Sequence, residues 1–386
     1  MDSTLAETLT RWRRHLHAHP GLTLHEGPTA AFVAEQLRGM GVEVTEGVGG
    51  HGVVGTLRRG GAGGASNRSV GLRADMDALP IQELSPLLPH RSTVPGVMHA
   101  CGHDGHTTAL LGACALLQAD PSWTGTVQLV FQPAEEGGGG ARSMIADGLF
   151  QRFPMERIFG WHNWPGLDAG TVAVHDSAVM AAGARFEIAF EGHAGHAALP
   201  HMTRDPMIGA GHCIVALQSI VARNVDPLDA GVISVTIAEA GEAQNQIAHR
   251  AVLKGTLRFL RDATGDALED GMHRVAQGIA AAFQLDAEVA IRRGVPVTVN
   301  HPAERELAAE AAAAVTALRR DIPPAMTGED FSWFLKEVPG AFVWIGNGSA
   351  EGGRELHSPH YDFNDAVLPV ASSYLAEAAK RALAGR

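Results

Sequence analysis

The chain has 386 residues, 45% of them hydrophobic and 19% charged, which predicts a soluble protein of two domains rather than one. A formal net charge of −12 argues against a nucleic-acid partner, since such a partner favours a basic face. No apolar run is long enough for a membrane span, the 3 cysteines are scattered, and the N-terminus lacks an apolar signal region. We therefore expect a cytoplasmic protein without a disulfide framework.

The first part of the chain alternates patterns typical of helices and strands. Apolar periodicity predicts helices at about 4–19, 28–40, 107–117 and 141–150, with strands at 42–45, 52–57, 70–75, 127–131 and 158–162. Thr4 and Glu7 have the spacing of a capping box in the first helix. The glycine-rich stretch 60–67 has no periodicity and predicts a loop. This alternation is typical of an α/β fold with its site at the carboxyl ends of the strands.

The pattern changes near Gly183. Strands are predicted at 185–190, 232–238, 251–259 and 287–291, and helices at 205–221 and 267–283. This β-α-β-β-α-β order indicates a ferredoxin-like unit. After Pro296 the chain returns to a helix at 304–318, a strand at 341–345 and a last helix at 367–383. We therefore predict a discontinuous α/β domain at 1–182 and 296–386, with a second domain inserted at 183–295.

The stretch from His99 to His106 is rich in potential metal-binding side chains. One cysteine, three histidines and an aspartate fall within eight residues, interleaved with two glycines. Glycine lets the backbone bend sharply, so Cys101 and His103 can turn toward one centre. Ordinary packing and surface positions are the alternative for this stretch.

Further candidate ligands follow later predicted strands. The full set is Cys101, His103, Glu136, His162 and His357. A thiolate, imidazoles and a carboxylate suit first-row metals, and five ligands exceed one tetrahedral structural site. The set therefore predicts two metal ions that share a bridging ligand or water.

Glu135 and Glu136 form the most informative pair. If they emerge from a strand, their side chains point to different sides, so Glu136 can bind metal while Glu135 faces the substrate. Glu135 would then be placed to accept a proton from water. A solvated turn before the four glycines at 137–140 is the alternative.

Several neighbouring residues are predicted to support the site or to have no part in it. Asp75 or Asp77 could accept the second N–H of His103 and orient its ring, or could cap a turn. His106 is predicted to pack or cap rather than to bind metal. The remaining histidines and cysteines of interest are predicted to be structural or surface residues: His15, His17, His19, Cys114 and Cys213.

Four motifs resemble the amidohydrolase branch of the aminoacylase and glutamate-carboxypeptidase family. They are Arg73–Pro80 (RADMDALP), Met98–Asp104 (MHACGHD), Phe131–Gly139 (FQPAEEGGG) and Leu356–Pro359 (LHSP). This branch contains hippurate hydrolases, N-acyl-amino-acid amidohydrolases and plant hydrolases of indole-acetyl amino acids. The match extends through His17–Glu26 and Glu329–Ser332, and so covers nearly the whole chain.

The resemblance implies an α/β fold: a di-metal exopeptidase-like catalytic domain with a mixed central sheet flanked by helices, plus an inserted ferredoxin-like α+β dimerisation or lid domain. It implies two divalent ions, Mn²⁺ or Zn²⁺, with Ni²⁺ or Co²⁺ possible, on the residues Cys101, His103, Glu136, His162 and His357. Glu135 matches the general base and acid of the family. A homodimer or homotetramer is expected through the inserted domain.

The inserted domain is expected to contribute to the site as well. His196 matches a histidine that reaches the partner subunit's site and steadies the oxyanion, while Asn245 and Arg258 fall where the family grips the substrate carboxylate. Domain closure would be needed to bring His196 there. Two departures, His193 where many relatives have lysine and Gly328 where serine is usual, affect the expected substrate preference rather than catalysis.

The predicted reaction is hydrolysis of the amide bond in N-acyl or N-aroyl amino acids, which gives a carboxylic acid and a free amino acid. A dipeptidase or carboxypeptidase of the same family and a non-catalytic metal-dependent binding protein are the alternatives. The Cys-Gly-His form of the metal loop favours the amidohydrolase branch, and the presence of Glu135 argues against loss of catalysis. A barrel-type metal hydrolase is disfavoured because His15, His17 and His19 follow a helical stripe rather than a strand.

Overall fold

The computed structural model describes residues 2–60 and 68–384. The loop predicted at 60–67 therefore lies, apart from Gly60, outside the described residues. The helices are α1 (Ser3–Ala18), α2 (Gly27–Gly39), α3 (His103–Ala119), α4 (Gly140–Ala146), α5 (Leu149–Arg152), α6 (Pro206–Asn224), α7 (Asp262–Phe283), α8 (Pro302–Val315), α9 (Phe331–Glu337) and α10 (Leu368–Ala384), with 3₁₀ turns at Pro200–Met202 and Asp365–Val367. Within these described ranges, no helix combines the length and hydrophobicity needed to cross a membrane.

The strands lie between these helices, singly or in runs of two to five. They are β1 (Glu43–Val48), β2 (Gly52–Arg59), β3 (Ser69–Asp75), β4 (Gly125–Gln132), β5 (Arg157–Pro165), β6 (Val172–Ala173), β7 (Ala178–Met180), β8 (Ala182–Glu191), β9 (Gly195–His196), β10 (Gly231–Ala240), β11 (Gln246–Ile247), β12 (Arg250–Phe259), β13 (Asp286–Arg293), β14 (Thr298–Val299), β15 (Leu318–Arg319) and β16 (Gly340–Gly348).

The chain divides into two compact units. The first unit comprises Met1–Val179, Val299–Pro323 and Asp330–Arg386, and the second comprises Met180–Thr298 and Pro324–Glu329. The second unit also takes in the short segment 324–329, which the sequence patterns had placed in the other domain. The catalytic and lid roles expected for the two domains stay predictions.

The first unit is built around one mixed sheet in the order β1–β2–β4–β3–β5–β16–β6–β15. Parallel pairing joins β3 to β4 and β5, and β5 to β16, whereas β2 pairs antiparallel with β4. Parallel strands end at the same edge of a sheet, so the segments after β3, β4, β5 and β16 emerge side by side. Helix α3, nearly all of whose residues are buried, packs against α1 and α10.

The second unit has the predicted β-α-β-β-α-β order. Its antiparallel sheet runs β10–β12–β8–β13, which places the fourth strand beside the first and the third between the first and second. Helices α6 and α7 pack on each other and on β12. This is the ferredoxin-like arrangement, so the predicted fold class, with its mixed sheet and inserted α+β unit, is confirmed.

Three local predictions are wrong, each for a physical reason. Helix α1 is capped by Asp2, whose carboxylate accepts the Leu5 N–H at 2.8 Å, so Thr4 lies inside the first turn rather than at the cap. The helix predicted at 141–150 is split because Gly148, at φ +81°, leaves the helical conformation. The helix predicted at 304–318 ends at Val315, and its last residue becomes part of the short strand β15.

Candidate metal centre

The five candidate ligands all belong to the first unit. Cys101 and His103 flank the start of α3, His162 lies in β5, and Glu136 follows β4. His357 follows β16, and its backbone N–H donates to the carbonyl of Ala100 at 2.8 Å. Strand ends and one helix start therefore deliver distant parts of the chain to the same edge of the sheet.

Gly102 makes the turn between Cys101 and His103 possible. Its φ is +89°, and an added Cβ would lie 2.3 Å from Asn163 Nδ2 and 2.5 Å from Tyr361 Oη. The Tyr361 hydroxyl donates to Asn163 Oδ1 at 2.6 Å, and Asn163 Nδ2 donates to the carbonyl of Cys101 at 2.6 Å. Only glycine fits this backbone conformation and this space, and the hydrogen bonds through Asn163 hold the loop in place.

Cys101 and His162 face each other across the site. Cys101 Sγ lies 3.4 Å from His162 Nε2. Nδ1 of His162 lies 2.6 Å from the carbonyl of Asn163, which can only accept, so Nδ1 carries the proton. The lone pair of Nε2 is therefore directed toward the thiol, as a metal-binding imidazole requires.

His103 shows the same division between its two nitrogens. Nδ1 lies 3.3 Å from Asp77 Oδ1, while Nε2 is buried and has no hydrogen-bond partner among the described residues. Oε1 of Glu136 lies 4.0 Å from this Nε2 and is buried; it has no hydrogen-bond partner among the described residues, because the His357 Nε2 that lies 3.1 Å away is not oriented to form one. Buried polar atoms are rarely left without a partner, so these two atoms indicate a position for a bound ion or water.

The side chain of His357 is half exposed. Its Nε2 lies 3.1 Å from Glu136 Oε1, and its backbone has φ +63°, a region that a residue with a side chain seldom adopts. Left-handed residues of this kind concentrate at functional sites, where the surrounding structure enforces them.

The structure brings all five candidate ligands together. Donor atoms of Cys101, His103 and His162 lie within 4.8 Å of one another, and so do those of Cys101, Glu136 and His357. Cys101 belongs to both groups, which we call the donor cluster. Asp75, His103 and His106 also satisfy this distance, but both ring nitrogens of His106 already have partners. The metal-binding role of the donor cluster stays a prediction.

The electrostatics of the donor cluster favour a cation. Burial alone would lower the pKa of His103, but the carboxylates of Asp75 and Asp77 outweigh burial and raise this pKa to about 10. Burial, together with the charges of Glu136 and Glu135, raises the pKa of the Cys101 thiol well above its ordinary value. Both shifts report a negative field, which a divalent cation would neutralise while keeping the imidazole neutral and the thiol ionised.

The residues present therefore fit divalent metal ions. Two of the donor atoms are buried and lack hydrogen-bond partners among residues 2–60 and 68–384. The donors are a thiolate, imidazoles and a carboxylate, and the field around them is negative. These are the ligand types of first-row transition metals.

Glu135 lies beside the donor cluster without being one of its five members. A carboxylate oxygen of Glu135 lies within 4.8 Å of donor atoms of His103 and Glu136, and Oε1 accepts the Asp330 N–H at 3.3 Å. Its own N–H donates to Asp77 Oδ1 at 3.1 Å, and that of Glu136 to Asp77 Oδ2 at 3.0 Å. One carboxylate, Asp77, thus orients both glutamates and the ring of His103.

Asp75 has different hydrogen-bond partners from Asp77. It lies 2.6 Å from His106 Nδ1 and accepts from Arg73 Nη1 at 2.8 Å, while its nearest approach to His103 Nε2 is 3.6 Å. Nε2 of His106 accepts the Asn163 N–H at 3.0 Å. We call Arg73, Asp75, His106 and Asn163 the support network. His106 is thus buried and fully hydrogen-bonded, in the structural position predicted for it.

Sequence patterns pointed to Asp75 and His106 but missed the roles of Arg73 and Asn163, and of Asp330 and Tyr361, which contact them. Arg73 Nη2 also donates to Asp330 at 3.1 Å, and Tyr361 reaches Asn163 across 198 positions of sequence. Adjacency to His162 is the only sequence signal for Asn163, and Tyr361 has none.

Of the three histidines His15, His17 and His19, His17 is the one that forms a buried ion pair. Its Nδ1 lies 2.8 Å from Asp104, and Nε2 lies 3.6 Å from Glu83. Burial alone would lower the pKa of His17, but the bonds to Asp104 and Glu83 raise it to about 9. His15 and His19 lie at the exposed end of α1.

The candidate catalytic residue His196 and the two candidate substrate-binding residues, Asn245 and Arg258, belong to the second unit. His196 is exposed on β9, opposite Gln246 of β11, and its Nδ1 accepts the Ala198 N–H at 3.1 Å. The carbonyl of Asn245 accepts the Ala197 N–H at 2.9 Å, so Asn245 and His196 are neighbours. Arg258 lies on β12, and its guanidinium fills the space where a Cβ on Gly183 would be, 2.3 Å away. Their roles toward a substrate stay predictions.

Comparison with known proteins gives consistent matches over the whole chain. The sequence profile of peptidase family M20/M25/M40 matches residues 71–381. The hippurate hydrolase of Campylobacter jejuni is 41% identical over 376 residues, which cover 96% of this chain and 95% of that protein. The N-acetyl-L-cysteine deacetylase of Bacillus subtilis is 39% identical, with 99% and 89% covered. The crystal structure of the Bacillus subtilis YxeP protein, a dinuclear metal-binding peptidase, superposes with a TM-score of 0.89 and 34% identity over 100% of both chains.

Proposed function

Since the chain belongs to peptidase family M20/M25/M40 and is a metal-dependent amidohydrolase, we propose that it cleaves N-acyl and N-aroyl amino acids to a carboxylic acid and a free amino acid. The family resemblance expected from the four sequence motifs is confirmed. One observation carries the proposed chemistry: five donor side chains converge, and a second carboxylate, that of Glu135, lies beside them. The matched hippurate hydrolase and N-acetyl-L-cysteine deacetylase support the substrate class.

Divalent ions bound by the donor cluster would supply positive charge that polarises the scissile carbonyl and makes water more acidic. We propose two such ions, on Cys101, His103, Glu136, His162 and His357, because the donor atoms form two groups that share Cys101. The dinuclear site named for the YxeP protein supports this number. Thiolate ligation suits Zn²⁺, and the imidazole and carboxylate donors also suit Mn²⁺.

Glu135 is the proposed general base and then general acid. Its carboxylate would accept the proton of the attacking water and deliver it to the leaving amine. The Asp330 N–H and the Asp77 contacts to both backbone amides hold it in place. Such positioning fixes the proton acceptor before substrate arrives, as efficient proton transfer requires.

His196 is the proposed donor to the oxyanion that develops on the carbonyl. Because the Ala198 N–H donates to Nδ1, the neutral ring carries its proton on Nε2. This tautomer has the donor that an oxyanion needs. Asn245 and Arg258 are proposed to bind the substrate carboxylate, for which a guanidinium is suited.

We also propose that the second unit forms a homodimer or homotetramer contact. Apolar side chains are exposed on α6, with Val215 at 74% and Ile208 at 49%, and on the edge strand β10, with Ile237 at 45%. Exposed apolar side chains and an unpaired strand edge are features of association surfaces. Light scattering on the purified chain measures this directly, and a monomer at micromolar concentration would contradict it.

A peptidase of the same family is the second candidate function. The matched YxeP protein, a dinuclear metal-binding peptidase, supports this candidate, because hydrolysis of a peptide and of an N-acyl amino acid both cleave an amide with the same site chemistry. The experiment that separates them is an assay of metal-reconstituted protein on hippurate, N-acetyl amino acids, indole-acetyl conjugates and dipeptides. We expect the highest kcat/KM on an N-acyl or N-aroyl amino acid. A preference for dipeptides would select the peptidase, and no hydrolysis of any of them would contradict the proposed function.

A further inference from the structure

Three consecutive backbone N–H groups at the candidate site donate hydrogen bonds to side-chain carboxylates. Those of Glu135 and Glu136 donate to the two oxygens of Asp77, as described above. The N–H of Ala134 donates to Glu26 Oε1 at 2.9 Å, across 108 positions of sequence. The backbone that leads into the proposed general base is therefore held by two carboxylates, one of which has no assigned role.

Glu26 binds two residues that both have left-handed backbones. Its Oε1 also accepts the Leu24 N–H, at 2.7 Å. Leu24 has φ +68° and Ala134 has φ +54°, a region that costs energy for a residue with a Cβ. A single carboxylate oxygen thus fastens the two strained residues to each other and joins the loop at 21–26 to the turn that carries Glu135.

Packing between the same two segments reinforces this link. A Cβ on Gly138 would lie 2.7 Å from Thr23 Cγ2 and 2.6 Å from the Cβ of Ala134. The Thr23 hydroxyl donates to Asp77 Oδ2 at 2.7 Å. The loop at 21–26 thus contacts the turn after β4 both directly and through Asp77.

Capping of the helix that follows Glu26 does not explain why its side chain is buried. Glu26 is the residue before α2, yet its side chain makes no hydrogen bond to that helix. The residue is fully buried, and Oε2 has no hydrogen-bond partner among the described residues. Burying a carboxylate is costly, and the two backbone N–H groups are what compensate for it here.

We propose that Glu26 is a positioning residue that sets the backbone path of Ala134 and thereby the placement of the Glu135 carboxylate. Glu26 is not a member of the donor cluster, and it acts through the turn that it holds. The expected effect of Glu26 on turnover rests on the proposed function. The expected effect of Glu26 on the backbone of the turn does not depend on any reaction.

Three substitutions of Glu26 separate this role from general stability. Glu26→Ala removes the acceptor, Glu26→Asp withdraws it by one methylene, and Glu26→Gln keeps an oxygen in place without the charge. Glu26→Gln is the conservative replacement because the amide has the same length as the carboxylate and keeps a carbonyl oxygen that can accept both N–H groups. The matched control is Glu304→Ala, which removes another buried glutamate of the first unit, one that lies 3.5 Å from Arg157.

We expect Glu26→Ala to lower kcat on hippurate about 100-fold, the loss that a displacement near 1 Å causes, with KM changed less than about threefold. Metal content should remain that of the parent protein. Glu26→Gln should recover most of the lost kcat and Glu26→Asp should not. Glu304→Ala should keep the parent kcat even though it loses stability.

Amide hydrogen exchange gives a second measurement that does not depend on activity. Exchange of Leu24 and Ala134 should accelerate in Glu26→Ala but not in Glu304→Ala. Unchanged exchange at Ala134 in Glu26→Ala would overturn the inference. A kcat in Glu26→Asp at or above that of Glu26→Gln would also overturn it. The comparison of Glu26→Asp with Glu26→Gln decides the question even if Glu26→Ala does not fold. If the parent protein hydrolyses none of the test amides, the proposed function fails, and the exchange result alone decides the role of Glu26.

Discussion

The donor cluster and the support network lie at the same edge of one sheet, yet they differ in how many of their polar atoms have hydrogen-bond partners. In the support network, both nitrogens of His106 have partners, Asp75 and Asn163. In the donor cluster, His103 Nε2 and Glu136 Oε1 are buried and have no hydrogen-bond partner in the part of the chain that the structure describes. His103 and His106 are equally buried, and among the described residues they differ in that Nε2 of His103 has no hydrogen-bond partner and lies within 4.8 Å of other potential metal donors.

The largest expected effect comes from a residue beside the donor cluster. Glu135→Gln should lower kcat by about 10²–10⁴-fold, because the proton acceptor is lost, while metal content stays unchanged. Steady-state assay on hippurate and elemental analysis measure the two quantities. Glu46→Gln, at an exposed position on β1, is the control. Near-normal turnover in Glu135→Gln would refute its role as the base.

Cys101→Ser tests the donor cluster itself. A hydroxyl is a much poorer metal ligand than a thiolate, so we expect a loss of metal affinity beyond the roughly 10–100-fold caused by changes around a ligand. Elemental analysis after dialysis measures it. Cys114→Ser is the matched control, since Cys114 is also buried but lies outside the cluster. Full metal occupancy with unchanged activity in Cys101→Ser would remove Cys101 from the ligand set.

Arg73→Met tests the support network. It leaves the buried carboxylates of Asp75 and Asp330 without their guanidinium, so unfolding free energy should fall by about 3–5 kcal/mol. Arg38→Met removes an exposed ion pair with Glu46 and should cost less than about 1 kcal/mol. Denaturant titration measures both. Equal losses in the two variants would show that the network contributes no more than a surface pair.

A smaller, pH-dependent effect is expected at His17. The groups that face it are Asp104, Glu83, Arg13, His90 and His99. Because its pKa is raised from 6.5 to about 9 in the folded protein, its contribution is fully present below pH 6.5 and is lost as the pH rises through 9. The difference in unfolding free energy between the parent and His17→Gln should shrink by on the order of 3 kcal/mol over this range. A difference that does not change with pH would contradict the raised pKa.

Much of the fold could be predicted because its signals are local. Periodicity located the longer helices and strands of both units but not α9 or the strands of two or three residues, and the β-α-β-β-α-β order identified the ferredoxin-like arrangement. Errors occurred where one residue decides a boundary, as with the Asp2 cap of α1 and the left-handed Gly148. Both depend on backbone geometry at one position, which a hydrophobic pattern does not encode.

The site was only partly predictable for a different reason. Cys101, His103 and Glu136 stand out because their chemistry is concentrated in short motifs that follow strands. Arg73 with Asp330, and Tyr361 with Asn163, are pairs separated by 257 and 198 positions. Their partnership exists only after the sheet has formed. The link from Glu26 to Ala134 is of the same kind, and nothing near Glu26 in the sequence points to it.

Crystallography with anomalous scattering, on protein loaded with Mn²⁺ or Zn²⁺, tests the central claim most directly. The account predicts two anomalous peaks about 3.5–4 Å apart, within coordination distance of Cys101, His103, Glu136, His162 and His357. Peaks that lie elsewhere, or a metal-loaded crystal with no peak at the donor cluster, would contradict it.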